Sequence, residues 1–217
     1  MKVLVIEPEK MPYVKEIDGE LRTLQGEVGG YIEIFGLEEN VDIICNEKGK
    51  ISNLPLCRAI WQDDGMIEVI AGKFLIIGLE NDKFCSLSEE QIRKYTERFL
   101  FPEGFLSIKN SVISVKFDLP KLEIYQMRDR KSIFLGYQQL QDKGFSITKK
   151  NYKQVYAGYC NLNESVEDIF MRFNLSQPYD YTARSLSVSD VIVYENDFGE
   201  KESYFIDCIG YKYLKNF

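Results

Sequence analysis

The sequence predicts an α+β protein of two small domains, 1–105 and 106–217, each a mostly antiparallel sheet with one or two packed helices. Three observations carry that expectation. Short apolar runs bounded by Gly, Pro, Asn and Asp recur along the 217 residues, as strands and their turns do. Helical periodicity surfaces in only a few places, around Leu21–Val28, Ile92–Phe99 and Val166–Phe173. A hydrophobic fraction of 45%, with 14 Tyr and 14 Phe, supplies an ordinary globular core for each half.

Taken in order, Val3–Ile6 reads as a strand and Glu7–Pro12 as a charged loop. Asp18 has the chemistry to cap a helix whose apolar Leu21, Leu24 and Val28 recur at three and four. Gly29-Gly30 ends it, since Gly takes the left-handed conformation of a helix C-terminus. Tyr31–Phe35 and Val41–Cys45 are strands and Lys48-Gly49-Lys50 a tight turn. Ile67–Ile70 and Phe74–Leu79 form a strand pair around Ala71-Gly72-Lys73. Ser86 or Ser88 opens a second helix, each with Glu or Gln at capping-box spacing, and Ile92, Tyr95 and Phe99 share one face. Pro102-Glu103-Gly104 stops it and marks the expected domain boundary.

In the second half Val112–Phe117 and Leu122–Met127 are strands, and Phe134–Gln141 is a short helix ending near Gly144. A helix from about Asn163 sets Val166, Ile169, Phe170 and Phe173 on one buried face and ends at Asn174–Pro178. Val188–Tyr194 and Tyr204–Ile209 pair as a hairpin through Glu195–Glu200.

Composition excludes several functions. The chain has no histidine, which removes Ser-His-Asp and Cys-His nucleophilic systems and His-ligated metal hydrolases. Any general base must be Asp, Glu, Lys, Tyr or Cys, with its pKa moved by burial. The five cysteines, Cys45, Cys57, Cys85, Cys160 and Cys208, form no Cys-x-x-Cys pair; they read as small core side chains in a reducing cytosol rather than as zinc ligands or a disulfide framework. No apolar run reaches the length of a membrane span and the start is too short and too charged for a signal peptide, so a cytoplasmic protein is expected. No cofactor is assigned.

Net charge is −7 and uneven: residues 1–105 hold 12 Lys/Arg against 20 Asp/Glu, residues 106–217 hold 15 against 14. The acidic half argues against duplex DNA binding, whose affinity comes from neutralised phosphates. It serves either solubility or an acidic face aimed at a basic groove.

Cys45-Asn46-Glu47-Lys48-Gly49-Lys50 is read either as a charged turn or as an anion site built on Asn46 and Lys50. It lacks the rest of a phosphate-loop motif, so a nucleoside triphosphatase is rejected. Gln25-Gly26-Glu27-Val28-Gly29-Gly30-Tyr31 is a helix end feeding a strand, where the glycines also permit close ligand approach. Gln25, Gly29, Gly30, Tyr31 and Glu33, with Asn46, Lys50 and Arg58, would form one polar cluster if they converge. In the second half Arg184, Ser185, Ser187, Ser189 and Asp190 crowd a strand entry, and at period two the three serines share one side. Ser and Asp there either satisfy local backbone groups, or Arg184, Ser187 and Asp190 build a recognition surface with Asp207, or Asp190 and Asp207 form a paired acid–base system. The Tyr-rich middle (Tyr152, Tyr156, Tyr159, Tyr179, Tyr181) suits core packing, a protein interface or, beside Lys149, Lys150 and Lys153, base stacking.

Two resemblances rest on these motifs. Leu24-Gln25-Gly26-Glu27-Val28-Gly29-Gly30-Tyr31-Ile32-Glu33 and Cys45–Lys50 resemble a domain of unknown function found in phage and mobile-element proteins. Ser185-Leu186-Ser187-Val188-Ser189-Asp190-Val191 and Tyr204–Gly210 resemble the YodL-like domain. The resemblance implies a non-catalytic binding protein of a phage or conjugative element. It would inhibit a host defence complex, a restriction or CRISPR effector, by occluding a basic surface, with a host or defence-system protein as partner. The alternatives are a small-molecule binder that sequesters a nucleotide signal, or a histidine-free enzyme.

Overall fold

Three strands of the first half are apolar on both faces, and this sets its architecture. In β1 (Lys2–Ile6) Val3 and Val5 point one way, Leu4 and Ile6 the other, and all four are buried. A strand covered on both sides reads as a continuous apolar run rather than an alternating one. The computed structural model describes residues 1–62, 65–109, 111–196 and 198–217, so Asp197 of the expected hairpin loop lies outside the described residues. Strands occupy 41% of the described residues and helices 17%: the α+β expectation holds coarsely, with antiparallel sheets dominant and helix packing minor. Among the described residues no helix is long and apolar enough to cross a membrane.

The chain divides into two units, Met1–Asp118 and Leu119–Phe217. In the first, β1 is followed by β2 (Tyr13–Glu16), α1 (Leu21–Val28), β3 (Ile32–Glu38), β4 (Val41–Asn46), β5 (Leu56–Gln62), β6 (Gly65–Ala71), β7 (Phe74–Glu80), β8 (Lys83–Cys85), α2 (Glu89–Arg98), β9 (Glu103–Ile108) and β10 (Ser111–Lys116). The main sheet runs β2-β1-β7-β4-β3, with β8 on β7. α1 lays Leu24 and Val28 over Val3, Val5, Ile44, Leu75 and Ile77. On the opposite face α2 and the β5–β6 ribbon cover Leu4, Ile6, Ile43, Phe74 and Ile76, with Phe74 and Phe99 edge-to-face at 5.8 Å. Ser88 caps α2 in a reciprocal capping box with Gln91, which resolves the choice between Ser86 and Ser88.

Three expectations are corrected here. Asp18 does not cap α1: Glu20 occupies that position without a side-chain bond, and Asp18 accepts the Glu20 N–H at 2.9 Å. β6 and β7 do not pair with each other; β6 pairs with β5, and β7 with β1 and β4. Phe74–Ile77 is buried on both faces, so β7 belongs in the middle of a sheet, whereas β6 is half exposed. Pro102-Glu103-Gly104 is not a boundary but the entry to β9, which pairs with β10 inside the first unit.

The second unit contains β11 (Lys121–Met127), α3 (Tyr137–Asp142), a single 3₁₀ turn (Lys149–Asn151), β12 (Tyr152–Tyr159), α4 (Val166–Leu175), β13 (Val191–Glu195), β14 (Lys201–Ile206) and β15 (Tyr211–Tyr213). Its antiparallel sheet runs β12-β11-β13-β14-β15. α4, capped by Ser165 and Asp168, packs Ile169 and Phe173 on Leu122, Ile124, Ile192 and Ile206. α3 and the C-terminal residues Leu214 and Phe217 cover Tyr125, Val191, Val193 and Phe205 on the other side. Ser187 to Asp190 form a turn before β13 rather than the first residues of a strand, so the expected alternation of Ser185, Ser187 and Ser189 does not arise.

Candidate functional site

The glycine pair is first a helix stop. Gly29 sits at φ 72°, the left-handed conformation that suits Gly, and Gly30 donates its N–H to the Gln25 carbonyl at 3.0 Å. Asn46, at the end of β4, reaches the same place: its Nδ2 donates to the Val28 and Gly29 carbonyls at 3.2 and 3.1 Å, and its Oδ1 accepts the Lys48 N–H at 2.9 Å. A Cβ on Gly30 would stand 2.5 Å from that Nδ2, and one on Gly49 would stand 2.6 Å from the Ala71 carbonyl oxygen. Both motifs therefore record one clasp between the C-terminus of α1 and the β4 turn. We predict that Gly30→Ala and Asn46→Ala each destabilise the protein, by about 1–3 kcal/mol. The double variant should cost less than their sum, because Asn46→Ala vacates the space the new methyl needs. Urea midpoints of the three variants check this, and simple additivity would refute the clasp.

Arg58 does not join that cluster. It lies in β5, 0% exposed, and its guanidinium donates to four main-chain carbonyls: Phe99 at 3.2 Å, Glu7 at 3.4 Å, Cys57 at 2.9 Å and Lys10 at 2.7 Å. Burial lowers its basicity, against the pull of the Cys57 and Glu103 groups. All this binding capacity holds the 7–10 loop and the end of α2. Lys50 pairs with Glu68, and the thiol of Cys45 is pushed up to about 11 by burial and by Glu33 and Glu68, which leaves it unreactive. Tyr31 and Glu33 are exposed, as are Gly29 and the ion-paired Lys50, with Tyr31 69% exposed beside edge strand β3.

In the second unit Arg184, Ser187 and Asp190 do come together. Asp190 is 0% exposed and takes a two-pronged contact from Arg184, Nη1 to Oδ2 at 2.7 Å and Nη2 to Oδ1 at 2.5 Å, plus the Ser187 N–H at 3.0 Å. Arg184 Nη1 also reaches Ser187 Oγ at 2.6 Å. Burial pushes the Asp190 carboxyl up to about 6, against the downward pull of Arg184 and the Ser187 amide. The Asp207 carboxylate accepts the N–H of Tyr137 at 3.0 Å, at the start of α3, and that of Cys208 at 2.8 Å. The two carboxylates thus serve separate donors.

With these geometries in place, the relationship to known families is decided. Residues 1–100 match DUF3846, a domain of unknown function, and residues 121–217 match the YodL-like domain. No curated protein and no solved structure gives a significant match. The motif residues of the DUF3846 half close α1 onto the β4 turn; those of the YodL-like half join the Arg184 turn to the entry of β13. An open depression in the DUF3846 half, lined by Asn40, Gly78, Leu79, Glu80, Asn81, Cys85 and Gln91, contains none of the anticipated ligand residues.

Phe134 carries no site signal in the sequence, and Ser189 reads there only as one of the strand-entry serines. Ser189, fully buried with φ 79°, accepts the N–H of Phe134 on its Oγ at 3.2 Å. Phe134 has φ 69° and is 64% exposed, with the Arg184 guanidinium carbon 5.9 Å from its ring centre. Neither conformation carries a local sequence signal, since Ser and Phe are not the residues expected at positive φ.

Proposed function

We propose that the chain is a non-catalytic binding protein of a phage or conjugative element, which docks an acidic face of its N-terminal unit on a basic surface of a host defence complex. One observation carries the reading: Tyr31, 69% exposed, accepts the Glu47 N–H on its main-chain carbonyl at 2.9 Å and lies two residues from Glu33, both glutamates being exposed. An exposed ring with glutamates at neighbouring backbone positions is the composition of an anchor for a cationic partner. The mobile-element setting rests on the family likeness and is associational. The groups an enzyme would use favour binding instead, because Asp190 and Asp207 are engaged by protein donors and Asp190 has no solvent-exposed surface.

The test is DNA cleavage by restriction and CRISPR effectors titrated with the purified protein. Inhibition is expected, weakened about tenfold or more by Tyr31→Ala or by Glu33→Lys with Glu47→Lys, with unchanged melting. An uninhibited panel, or inhibition indifferent to these changes, would overturn the proposal.

A further inference from the structure

The second half is nearly neutral as a whole, but its charge is segregated. Between residues 128 and 153 every Lys and Arg is exposed, and Asp129 and Asp142 are the only acids. The fold gathers these cations at the end of the sheet where β11 leaves and β12 enters. Arg128 is tied there by its N–H to the Asn151 carbonyl at 3.0 Å and by Nε to the Tyr152 carbonyl at 2.7 Å. That places Arg128 beside Lys150 and Lys153 in the chain's path, with Arg130 and Lys131 following it in the loop. The Ser132 hydroxyl and the Lys131 amide hold the Asp129 carboxyl below the usual carboxylate range, with smaller help from the charges of Lys131 and of Lys143 at the end of α3. Asp142 is bonded to Gln138 Nε2 at 2.9 Å. Among the described residues the one ion pair of this segment is Lys149 with Glu123, at 3.7 Å. In the N-terminal unit Lys2, Lys10, Lys15, Lys73, Lys94 and Arg98 have carboxylate partners.

Phe134 stands in the same loop. Its backbone is held in a sparsely populated conformation by buried Ser189, itself at positive φ, and such strain persists only where the surroundings impose it. The ring has Arg184 within cation–π distance, and that guanidinium is locked by Asp190. The ring remains 64% exposed. A fixed aromatic ring beside unneutralised cations combines a stacking platform with an electrostatic funnel.

We infer that this end of the C-terminal unit binds single-stranded nucleic acid, with the cations on the phosphates and Phe134 stacked on an unpaired base. A duplex offers no free base face to that ring, and an acidic peptide brings no base to stack on it. This site is independent of the acidic face of the N-terminal unit.

The test uses the full chain and a labelled oligothymidylate of about 20 nucleotides, followed by fluorescence anisotropy. With roughly four phosphates neutralised, affinity should fall about 50-fold between about 50 and 200 mM salt. Reversing Arg130, Lys131 and Lys150 to Glu should abolish binding. Phe134→Asn should weaken it about tenfold or more without lowering the melting temperature, because Asn tolerates positive φ, and Phe134→Trp should retain it. Glu33→Lys with Glu47→Lys should leave oligonucleotide binding at least as strong, which separates this inference from the function proposed above. No binding at low salt would overturn the inference. So would binding unaffected by Phe134→Asn and competed equally by polyglutamate, which would assign the surface to an acidic protein.

Discussion

Replacing Arg58 with methionine is expected to lower the stability of the N-terminal unit by about 3–5 kcal/mol, a large share of what a domain of this size has. Methionine keeps much of the volume and removes all the donors. The carbonyls of Cys57 and Phe99 then stay buried without the bonds that Arg58 supplies, at roughly 1–3 kcal/mol each, and the 7–10 loop loses its tie through Glu7 and Lys10. Arg58→Lys should fall between wild type and Arg58→Met, because a single ammonium cannot span acceptors on three separate segments as a planar fork does. The readout is local, since Trp61, the sole tryptophan, lies on the same strand, β5. Its fluorescence through a urea titration should show the midpoint falling in that order. A methionine variant as stable as wild type would mean that the guanidinium is packing material and not a clasp.

Arg58 also shows what the sequence could not display. An arginine in Leu56–Gln62 looks like a surface residue of a strand or loop, and nothing local announces that acceptors 41, 48 and 51 residues away will surround it. Elements with local causes were legible: α2 through Ser88 and Gln91 with Ile92, Tyr95 and Phe99, α4 through Val166, Ile169, Phe170 and Phe173, and the central strands through unbroken apolar runs. Partner choice was not legible, because pairing β6 with β5 instead of β7 is decided by which strand must be covered on both faces. The Arg184–Ser187–Asp190 group could be named because its members lie within seven residues. The convergence of Asn46 with Gly30 depends on how β3 brings α1 back to β4. The basic end of the second unit was legible only in part, as Lys149, Lys150 and Lys153; a half-chain charge count averages its cations with the acids of residues 154–217, and the joining of Arg128 to Asn151 and Tyr152 depends on the pairing of β11 with β12.

Arg184→Ala should cost the C-terminal unit about 3–5 kcal/mol at neutral pH, and distinctly less near pH 5. The cause is the Asp190 carboxyl, which burial pushes up from 3.8 to about 6 even with Arg184 in place. An acid whose folded pKa lies above its unfolded value holds its proton more tightly when folded. Its contribution is therefore fully present below the unfolded pKa and is lost as pH rises through the folded one. In the wild type that loss is on the order of 3 kcal/mol at most between pH 4 and 7. Without Arg184 the ionised carboxylate has no cation opposite it and keeps only main-chain donors such as the Ser187 N–H, so its pKa climbs further. Breaking a buried pair from one side costs most when the remaining charge cannot be neutralised; at pH 5 Asp190 takes up a proton and the penalty shrinks. Arg184→Ala with Asp190→Asn removes the titrating group, so its loss should be nearly the same at both pH values. Hydrogen exchange of the β13 and β14 amides, which flank the Asp190 turn, follows the unit specifically. A penalty for Arg184→Ala that is equal at pH 5 and pH 8 would mean that the arginine acts through its bonds to Ser185 and Ser187 and not through the charge of Asp190.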